Sequence, residues 1–185
     1  EAMVAELAAR SPRVLVAVAP DPDDGPALLA AIDDWLATLA AAPAAEPAPP
    51  LVAGLGPGFV DATAGAPPGL LYASAYSPEA VARQPLAAAV AARYQERFGS
   101  PMSEPAAQAF TATLTLAMAI DAAGDSAGPA VRAALRQLSV PATRMIMPWT
   151  GIRFGENGQN ELAAGLVVRA SESGAQIVFP PELAR

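Results

Sequence analysis

Apolar residues along the chain form two kinds of pattern, one with helical spacing and one continuous. Residues 14–18 are an unbroken apolar run rich in valine, which predicts a strand buried on both faces. Residues 28–39 repeat apolar positions every three or four residues, which predicts a helix with Trp35 in its apolar stripe. Two further short apolar runs at 51–53 and 70–76 predict strands.

The middle of the chain reads as three helices. The first covers residues 86–98 and should end at Gly99, a suitable residue for a helix C-terminus. The second covers about 105–123, ends at Gly124 and carries no charge before Asp121. It is too short and too rich in threonine to span a bilayer, so we expect a buried helix. Pro129 opens the third and shortest helix.

The last quarter of the chain is predicted to be β-structure. Residues 151–154 and 166–169 flank a turn around Gly158, and residues 175–179 form a last strand. Met145 and Met147 share one face and are expected in the core. The predicted order is α-β-α-β-β-α-α-α-β-β-β, and its first part is typical of a doubly wound, parallel α/β sheet.

Composition removes whole classes of chemistry. The chain has 185 residues and a net charge of −7, with no histidine or cysteine, and every basic residue is an arginine. Ser-His and Cys-His nucleophiles and lysine Schiff bases are therefore excluded. The usual ligands of zinc sites are also absent, and we expect no metal and no cofactor. The acidic balance argues against a nucleic-acid partner. These exclusions favour a protein that binds a small molecule over an enzyme.

An ordered series of segments carries a family resemblance. The segments are 94–99 (YQERFG), 104–107 (EPAA), 119–124 (AIDAAG), 131–135 (VRAAL) and 151–160 (GIRFGENGQN). Their succession resembles the C-terminal half of type I periplasmic solute-binding proteins of ABC importers. The leucine/isoleucine/valine-binding group is the most similar branch.

The resemblance implies a bilobed fold with a ligand cleft, of which this chain is an incomplete part. Residues 1–76 would be the later part of the second lobe, 77–165 would belong to the first lobe, and 166–185 would cross back. The implied partners are a polar or aromatic solute, a membrane permease and a missing N-terminal half of the same protein. The chain begins in what reads as the middle of a helix, which agrees with a fragment. The implied location is periplasmic or extracellular, with lipid anchoring as an option.

The resemblance also points to ligand-binding residues in loops that follow strands. An aromatic residue is usual in the first loop, where this chain has Ala19 and Pro20, followed by Asp21. A carboxylate for the ligand ammonium is usual in the second, where Leu55 stands. A tyrosine is usual near the start of the long helix, where this chain has Phe110.

Two interpretations of these departures stay open. In one, the site has lost its anchor for an α-ammonium group and prefers an uncharged or anionic, aromatic solute, since a buried ammonium needs a carboxylate or a ring face. In the other, the register is shifted and these are ordinary core or loop positions. Tyr76, beside the presumed crossing strand, is a further candidate, and Trp149 either faces the cleft or packs in the core.

The acidic run Asp21, Asp23 and Asp24 invites a calcium interpretation. It lacks the regular spacing and terminal glutamate of an EF-hand loop. Capping of the following helix is the preferred interpretation.

Three functions compete at this stage. The first is the solute-binding component of an ABC importer, closing around its ligand by a hinge motion. The alternative is a ligand-sensing domain of a larger receptor or regulator with the same fold. The third is an enzyme that uses paired carboxylates, such as a glycosidase, but the sequence offers no convincing pair of acids.

Overall fold

A computed structural model describes residues 2–10, 12–41, 51–55, 69–171 and 174–184. The chain forms two units, unit 1 from Glu1–Ser74 with Leu166–Arg185 and unit 2 from Ala75–Gly165. The assignment of segments 1–76, 77–165 and 166–185 to lobes of a longer protein stays a prediction. Most of the predicted loop at 41–50, and residues 56–58, lie outside the described residues.

The helices and strands follow one another in the order α1, β1, α2, β2, β3, α3, α4, α5, α6, β4, β5, β6, β7. The helices are α1 Ala2–Arg10, α2 Gly25–Ala40, α3 Pro78–Val81, α4 Pro85–Phe98, α5 Glu104–Ala123 and α6 Gly128–Gln137. The strands are β1 Val14–Val18, β2 Leu51–Leu55, β3 Leu71–Ser74, β4 Ser139–Pro141, β5 Gly151–Arg153, β6 Leu166–Ser171 and β7 Gly174–Phe179.

Unit 1 is built on a five-stranded sheet with the strand order β1-β2-β3-β6-β7. The first three strands are parallel, with Val18 of β1 opposite Leu55 of β2. Strand β6 runs antiparallel to β3, and β7 runs antiparallel to β6. The predicted parallel α/β arrangement is confirmed for β1 to β3, and the complete sheet is mixed.

The core of unit 1 includes the apolar stripe of α2. Trp35 and Ile32 are almost fully buried, so the core position predicted for Trp35 is confirmed. The prediction that β1 is buried on both faces is wrong. Val14, Val16 and Val18 are 56%, 55% and 60% exposed, whereas Ala17 is buried. Successive side chains of a strand point to opposite faces of the sheet, so the three valines lie on one face, which the described residues leave open.

The helices of unit 2 end where the sequence predicts. Gly99 follows α4 with φ +72°, and Gly124 follows α5 with φ +62°, and each donates its amide to a carbonyl of the last turn. The left-handed region suits glycine because it has no Cβ. A proline occupies the first turn of α6, as predicted.

Helix α5 is buried along one stripe only, which corrects the prediction of a buried helix. The buried stripe consists of Ala107, Thr111, Thr115 and Ala119. By length and composition alone, α5 is apolar enough to cross a membrane, a property it shares with core helices of soluble proteins. Its other faces are largely open because the described neighbours cover only one side.

Strand β4 was not predicted from the sequence. It pairs antiparallel with β5, with Val140 opposite Ile152. Strands β5 and β6, which flank the predicted turn, belong to different sheets and do not pair with each other. Met145 and Met147 lie between β4 and β5 along the chain. Their exposures are 1% and 0%, which confirms their predicted core positions.

Candidate functional site

The carboxyl edge of the unit 1 sheet presents the first group of candidate residues. Strands β1 and β2 are parallel neighbours, so their carboxyl ends meet at the same edge, the usual place for ligand sites in open α/β sheets. Pro20 and Asp21 follow β1, and both are exposed. Leu55 is the last residue of β2, which corrects its predicted position in a loop.

The acidic run after β1 serves a local structural role. The Asp21 carboxylate accepts a hydrogen bond from the amide of Asp23, with an N···O distance of 3.0 Å. This bond caps a 3₁₀ turn, Pro22–Asp24, that leads directly into α2. The capping interpretation is confirmed for this turn, where the N-cap carboxylate satisfies an amide that the turn leaves open. For α2 itself it is wrong, because Asp24, the residue before the helix, makes no side-chain cap. Within the described ranges, the structure contains no cluster of three acids suited to a metal ion.

Tyr76 lies two residues after the end of β3 and belongs to unit 2. Its side chain is buried. Burial raises the pKa of the Tyr76 hydroxyl above its usual value of 10.0, because a buried phenolate loses its hydration. The hydroxyl is therefore protonated at neutral pH and can both donate and accept hydrogen bonds.

The residue before Tyr76 is held by the start of α5. The amide of Ala75 donates to Oε2 of Glu104 at 2.9 Å, and Nε2 of Gln108 donates to Oε1 of the same carboxylate at 3.1 Å. Ser103 caps the same helix end through its hydroxyl. The first turn of α5 thus fixes the backbone at the beginning of unit 2.

Unit 2 contains a largely apolar cavity of about 340 Å³. Its wall consists of Gln108, Thr111, Ala112, Thr115, Leu116, Leu135, Trp149, Ile152, Phe154 and Asn160. None of these side chains is ionisable. The hydroxyls of Thr111 and Thr115 donate to carbonyls one turn earlier, at 2.8 and 2.7 Å, so their protons are already used. The cavity suits an apolar group.

A smaller, charged depression adjoins this cavity. It measures about 220 Å³ and includes Arg132, Arg136 and Glu156, while Leu135 and Phe154 line both spaces. All three charged residues are exposed. Exposed guanidinium groups beside a carboxylate offer only weak, screened attraction to an anion.

A glycine-rich loop supports the wall that contains Phe154. The side chain of Asn160 makes three hydrogen bonds: its oxygen accepts from the amides of Arg153 and Leu162 at 3.0 and 3.1 Å, and its nitrogen donates to the Gly151 carbonyl at 3.1 Å. A Cβ on Gly151 would lie 2.8 Å from the Val140 carbonyl oxygen, so this position requires glycine. Asn160 and Gly151 therefore hold the backbone of the segment 151–160 in place.

The structure brings some of the predicted residues together and leaves others apart. Pro20 and Leu55 stand at the ends of adjacent strands in unit 1. Trp149 lines the cavity of unit 2, whereas Phe110, half-buried on α5, is not among the described residues of its wall. A common cleft for these residues and Tyr76 stays a prediction.

Sequence reasoning proposed one of the ten residues of the cavity wall, Trp149, and missed the other nine, among them Leu116 and Phe154. The available signal was the four-residue spacing of Gln108, Ala112 and Leu116 along α5, which places them on one side of the helix. Residues of the segment 151–154 line the same cavity as this side of α5. Their proximity is a matter of tertiary structure, which no local sequence pattern predicts.

Comparison with known proteins identifies the fold. The sequence profile of the periplasmic binding protein family matches residues 3–176, and the chain belongs to this family. A search of curated protein sequences finds no match.

Solved structures with a similar fold include a leucine-binding protein from Thermotoga maritima, with a TM-score of 0.67, 18% identity and coverage of 95% of this chain and 46% of the other. An ABC transporter solute-binding protein from R. palustris, in complex with benzoate, has a TM-score of 0.64, 18% identity and coverage of 96% and 45%. A fatty acid ABC transporter substrate-binding protein from Thermomonospora curvata has a TM-score of 0.66, 18% identity and coverage of 98% and 47%.

These comparisons confirm the type I periplasmic binding protein fold. The chain spans less than half the length of each of these three proteins. It therefore corresponds to part of the fold. The family implies a periplasmic or extracellular location.

Proposed function

We propose that this chain is part of a non-catalytic solute-binding protein that serves an ABC importer. The observation that carries the proposal is the family match over residues 3–176, together with similar structures that are themselves solute-binding proteins of ABC transporters. In the complete protein the solute is held between two lobes, and the closed form is recognised by a membrane permease. A lipid anchor would keep such a protein near its permease.

The proposed solute lacks an α-ammonium group and carries an apolar or aromatic body. Two positions support this choice, because Pro20 and Leu55 stand where the family resemblance implies an aromatic ring and a carboxylate. Phe110 keeps the ring of the tyrosine that is usual there and lacks its hydroxyl. The nearby carboxylate of Asp21 is engaged in capping its own turn. With Leu55 at the position where a carboxylate is usual, an ammonium group would lose hydration without the charge partner that the family resemblance implies there.

Similar structures are compatible with a solute of this class. The protein from R. palustris was solved with benzoate, and the one from Thermomonospora curvata is described as a fatty acid binder. The Thermotoga maritima protein is described as a leucine binder, so the fold accommodates solutes with and without an ammonium group.

A thermal-shift panel tests the proposal on the longest polypeptide encoded by the reading frame that contains this chain. The probes are L-leucine, benzoate and octanoate at matched concentrations. We expect benzoate or octanoate to raise the melting temperature, because a ligand that binds only the folded state stabilises it by RT ln(1 + [L]/Kd). Stabilisation by L-leucine alone would contradict the proposed solute class, and turnover of any probe would contradict the proposed absence of catalysis.

A further inference from the structure

The chain passes between the two units at two points that lie side by side. It leaves unit 1 after Ser74 and returns to it at Leu166. These two residues are direct partners in the antiparallel pairing of β3 with β6, and both are buried. Each crossing therefore starts from a fixed position in the unit 1 sheet, and any freedom of the chain has to come from the residues on the unit 2 side.

The first crossing is held without slack on that side. Ala75 follows Ser74 directly, and its amide donates to Oε2 of Glu104 at 2.9 Å. Tyr76, the next residue, is buried. A hydrogen bond to a carboxylate is roughly twice as strong as one between neutral groups, so the Ala75 backbone is fixed to the first turn of α5.

The carboxylate of Glu104 is itself fixed in position. Its other oxygen, Oε1, accepts from Nε2 of Gln108 at 3.1 Å, one helical turn further on. Glu104 is half-buried and is the first residue of α5. A carboxylate that is bonded at both oxygens has few alternative rotamers, and it therefore acts as a short, stiff link between Ala75 and the helix.

The second crossing has slack. Leu162 is the last firmly held residue before it, since its amide donates to Oδ1 of Asn160 at 3.1 Å and its carbonyl accepts from the amide of Thr150 at 3.3 Å. Residues 163–165 (Ala-Ala-Gly) are exposed and lie outside the helices and strands. Small residues in such a segment can absorb the changes of φ and ψ that a hinge requires.

We propose that Glu104 is a positioning residue of the hinge. It fixes the first crossing at Ala75, so that the chain bends at residues 163–165 when the lobes move on solute binding. The inference rests on the proposed function in one respect, that solute binding is accompanied by a movement of two lobes. It adds the place where this part of the chain bends and the side chain that holds the other crossing fixed.

Two substitutions of Glu104 test the proposal in the longest polypeptide encoded by the reading frame. Glu104→Asp keeps an acid in the first turn of α5, where acids are favourable, but its side chain is one methylene shorter and no longer reaches the Ala75 amide. Glu104→Gln keeps the length and an oxygen that accepts the bond. Gly124→Ala is the control for stability, because it strains the opposite end of the same helix.

Spin labels, one in each unit, report the movement. This chain has no cysteine, so Ala37→Cys on α2 and Ala92→Cys on α4, both at exposed positions, provide the two labels once any cysteine in the rest of the polypeptide is replaced by serine. Without solute, Glu104→Asp should broaden the distribution of distances between the labels. Glu104→Gln and Gly124→Ala should leave its width close to that of the unsubstituted protein.

Hydrogen exchange locates the bend. Without solute, the Ala75 amide should exchange at least about tenfold faster in Glu104→Asp than in the unsubstituted protein, because its bond to a charged acceptor is lost. In the unsubstituted protein, the probe among L-leucine, benzoate and octanoate that raises the melting temperature is then added. It should change exchange at residues 163–165, while exchange at Ala75 stays within about twofold.

Three results would overturn the proposal. Equal label distributions for Glu104→Asp and Glu104→Gln would remove the role of the bond to Ala75. An equally broad distribution for Gly124→Ala would reduce the effect to one of stability. A solute-induced change at Ala75 as large as that at residues 163–165 would contradict a fixed first crossing. The label distances are measured without solute, so they decide the role of Glu104 even if no probe binds, and failure of the proposed solute class is distinguishable from failure of the hinge assignment.

Discussion

The carboxylate of Glu104 accepts a hydrogen bond from the backbone amide of Ala75, with an N···O distance of 2.9 Å. Ala75 is the first residue of unit 2, directly after strand β3, and Glu104 opens helix α5. The second carboxylate oxygen is held by Gln108. One side chain thus joins the start of the unit to the start of its longest helix.

Replacing Glu104 should loosen this connection. Glu104→Ala removes a charged acceptor from a half-buried amide, and we expect a loss of about 1.5–3 kcal/mol in the free energy of unfolding. Amide hydrogen exchange at Ala75 should accelerate. Glu79→Ala serves as the control, since Glu79 is an exposed acid in the first turn of α3. Equal losses for the two variants in denaturant titrations would refute the special role of Glu104.

Asn160 should matter more than its neighbour Asn157. Asn160→Ala removes three hydrogen bonds that close the loop after β5, and we expect a loss of about 2 kcal/mol. Asn157 accepts a single bond from the amide of Gln159 at an exposed position, so Asn157→Ala should cost less than about 1 kcal/mol. Urea denaturation compares the two, and a larger loss for Asn157→Ala would contradict the assignment.

The glycine that ends α5 should resist substitution for conformational reasons alone. Gly124 has φ +62°, and a Cβ there would meet nothing within 4 Å. Gly124→Ala should therefore cost about 1–2 kcal/mol through backbone strain without any clash. Gly128, in the first turn of α6, has equally open surroundings and no positive φ. Gly128→Ala should be neutral or stabilising by up to about 1 kcal/mol, and thermal unfolding of both variants checks the difference.

Tyr76 predicts a dependence of stability on alkaline pH. Burial raises the pKa of the folded state above 10.0, so the folded protein favours the protonated form. The corresponding stability is present in full below the pKa of the unfolded chain and is lost as pH rises through the higher folded value.

The Tyr76→Phe variant isolates this contribution because phenylalanine does not titrate. Above pH 10 the unfolding free energy of the unsubstituted protein should fall relative to that of Tyr76→Phe, while their difference stays constant between pH 6 and about 9. Denaturant titrations at a series of pH values measure the difference. A difference that does not change up to pH 11 would show that Tyr76 is not buried as described.

Local patterns predicted the elements that depend on local physics. Gly99 and Gly124 marked helix ends because a left-handed residue is required at those points, and Asp21 marked a cap because its side chain reaches an amide two residues on. Strand β4, by contrast, is only three residues long and ends in Pro141. Its pairing with β5 depends on tertiary contacts, which no pattern within three residues reports.

Burial was predicted less well than secondary structure. The run Val14–Val18 is apolar on both faces, and α5 carries no charge between Glu104 and Asp121. Apolarity indicates that a surface is to be covered without indicating what covers it. Within the described residues each element is covered on one side only. The cavity beside Leu116 was missed for the same reason, since its wall combines residues from separate parts of unit 2.

Isothermal titration of the longest polypeptide encoded by the reading frame tests the central claim most directly. With L-leucine, benzoate and octanoate as titrants, solute binding without catalysis predicts saturable binding of benzoate or octanoate at one site. Mass spectrometry should recover that solute unchanged. The absence of saturable binding for all three titrants, or recovery of a chemically altered solute, would contradict the account.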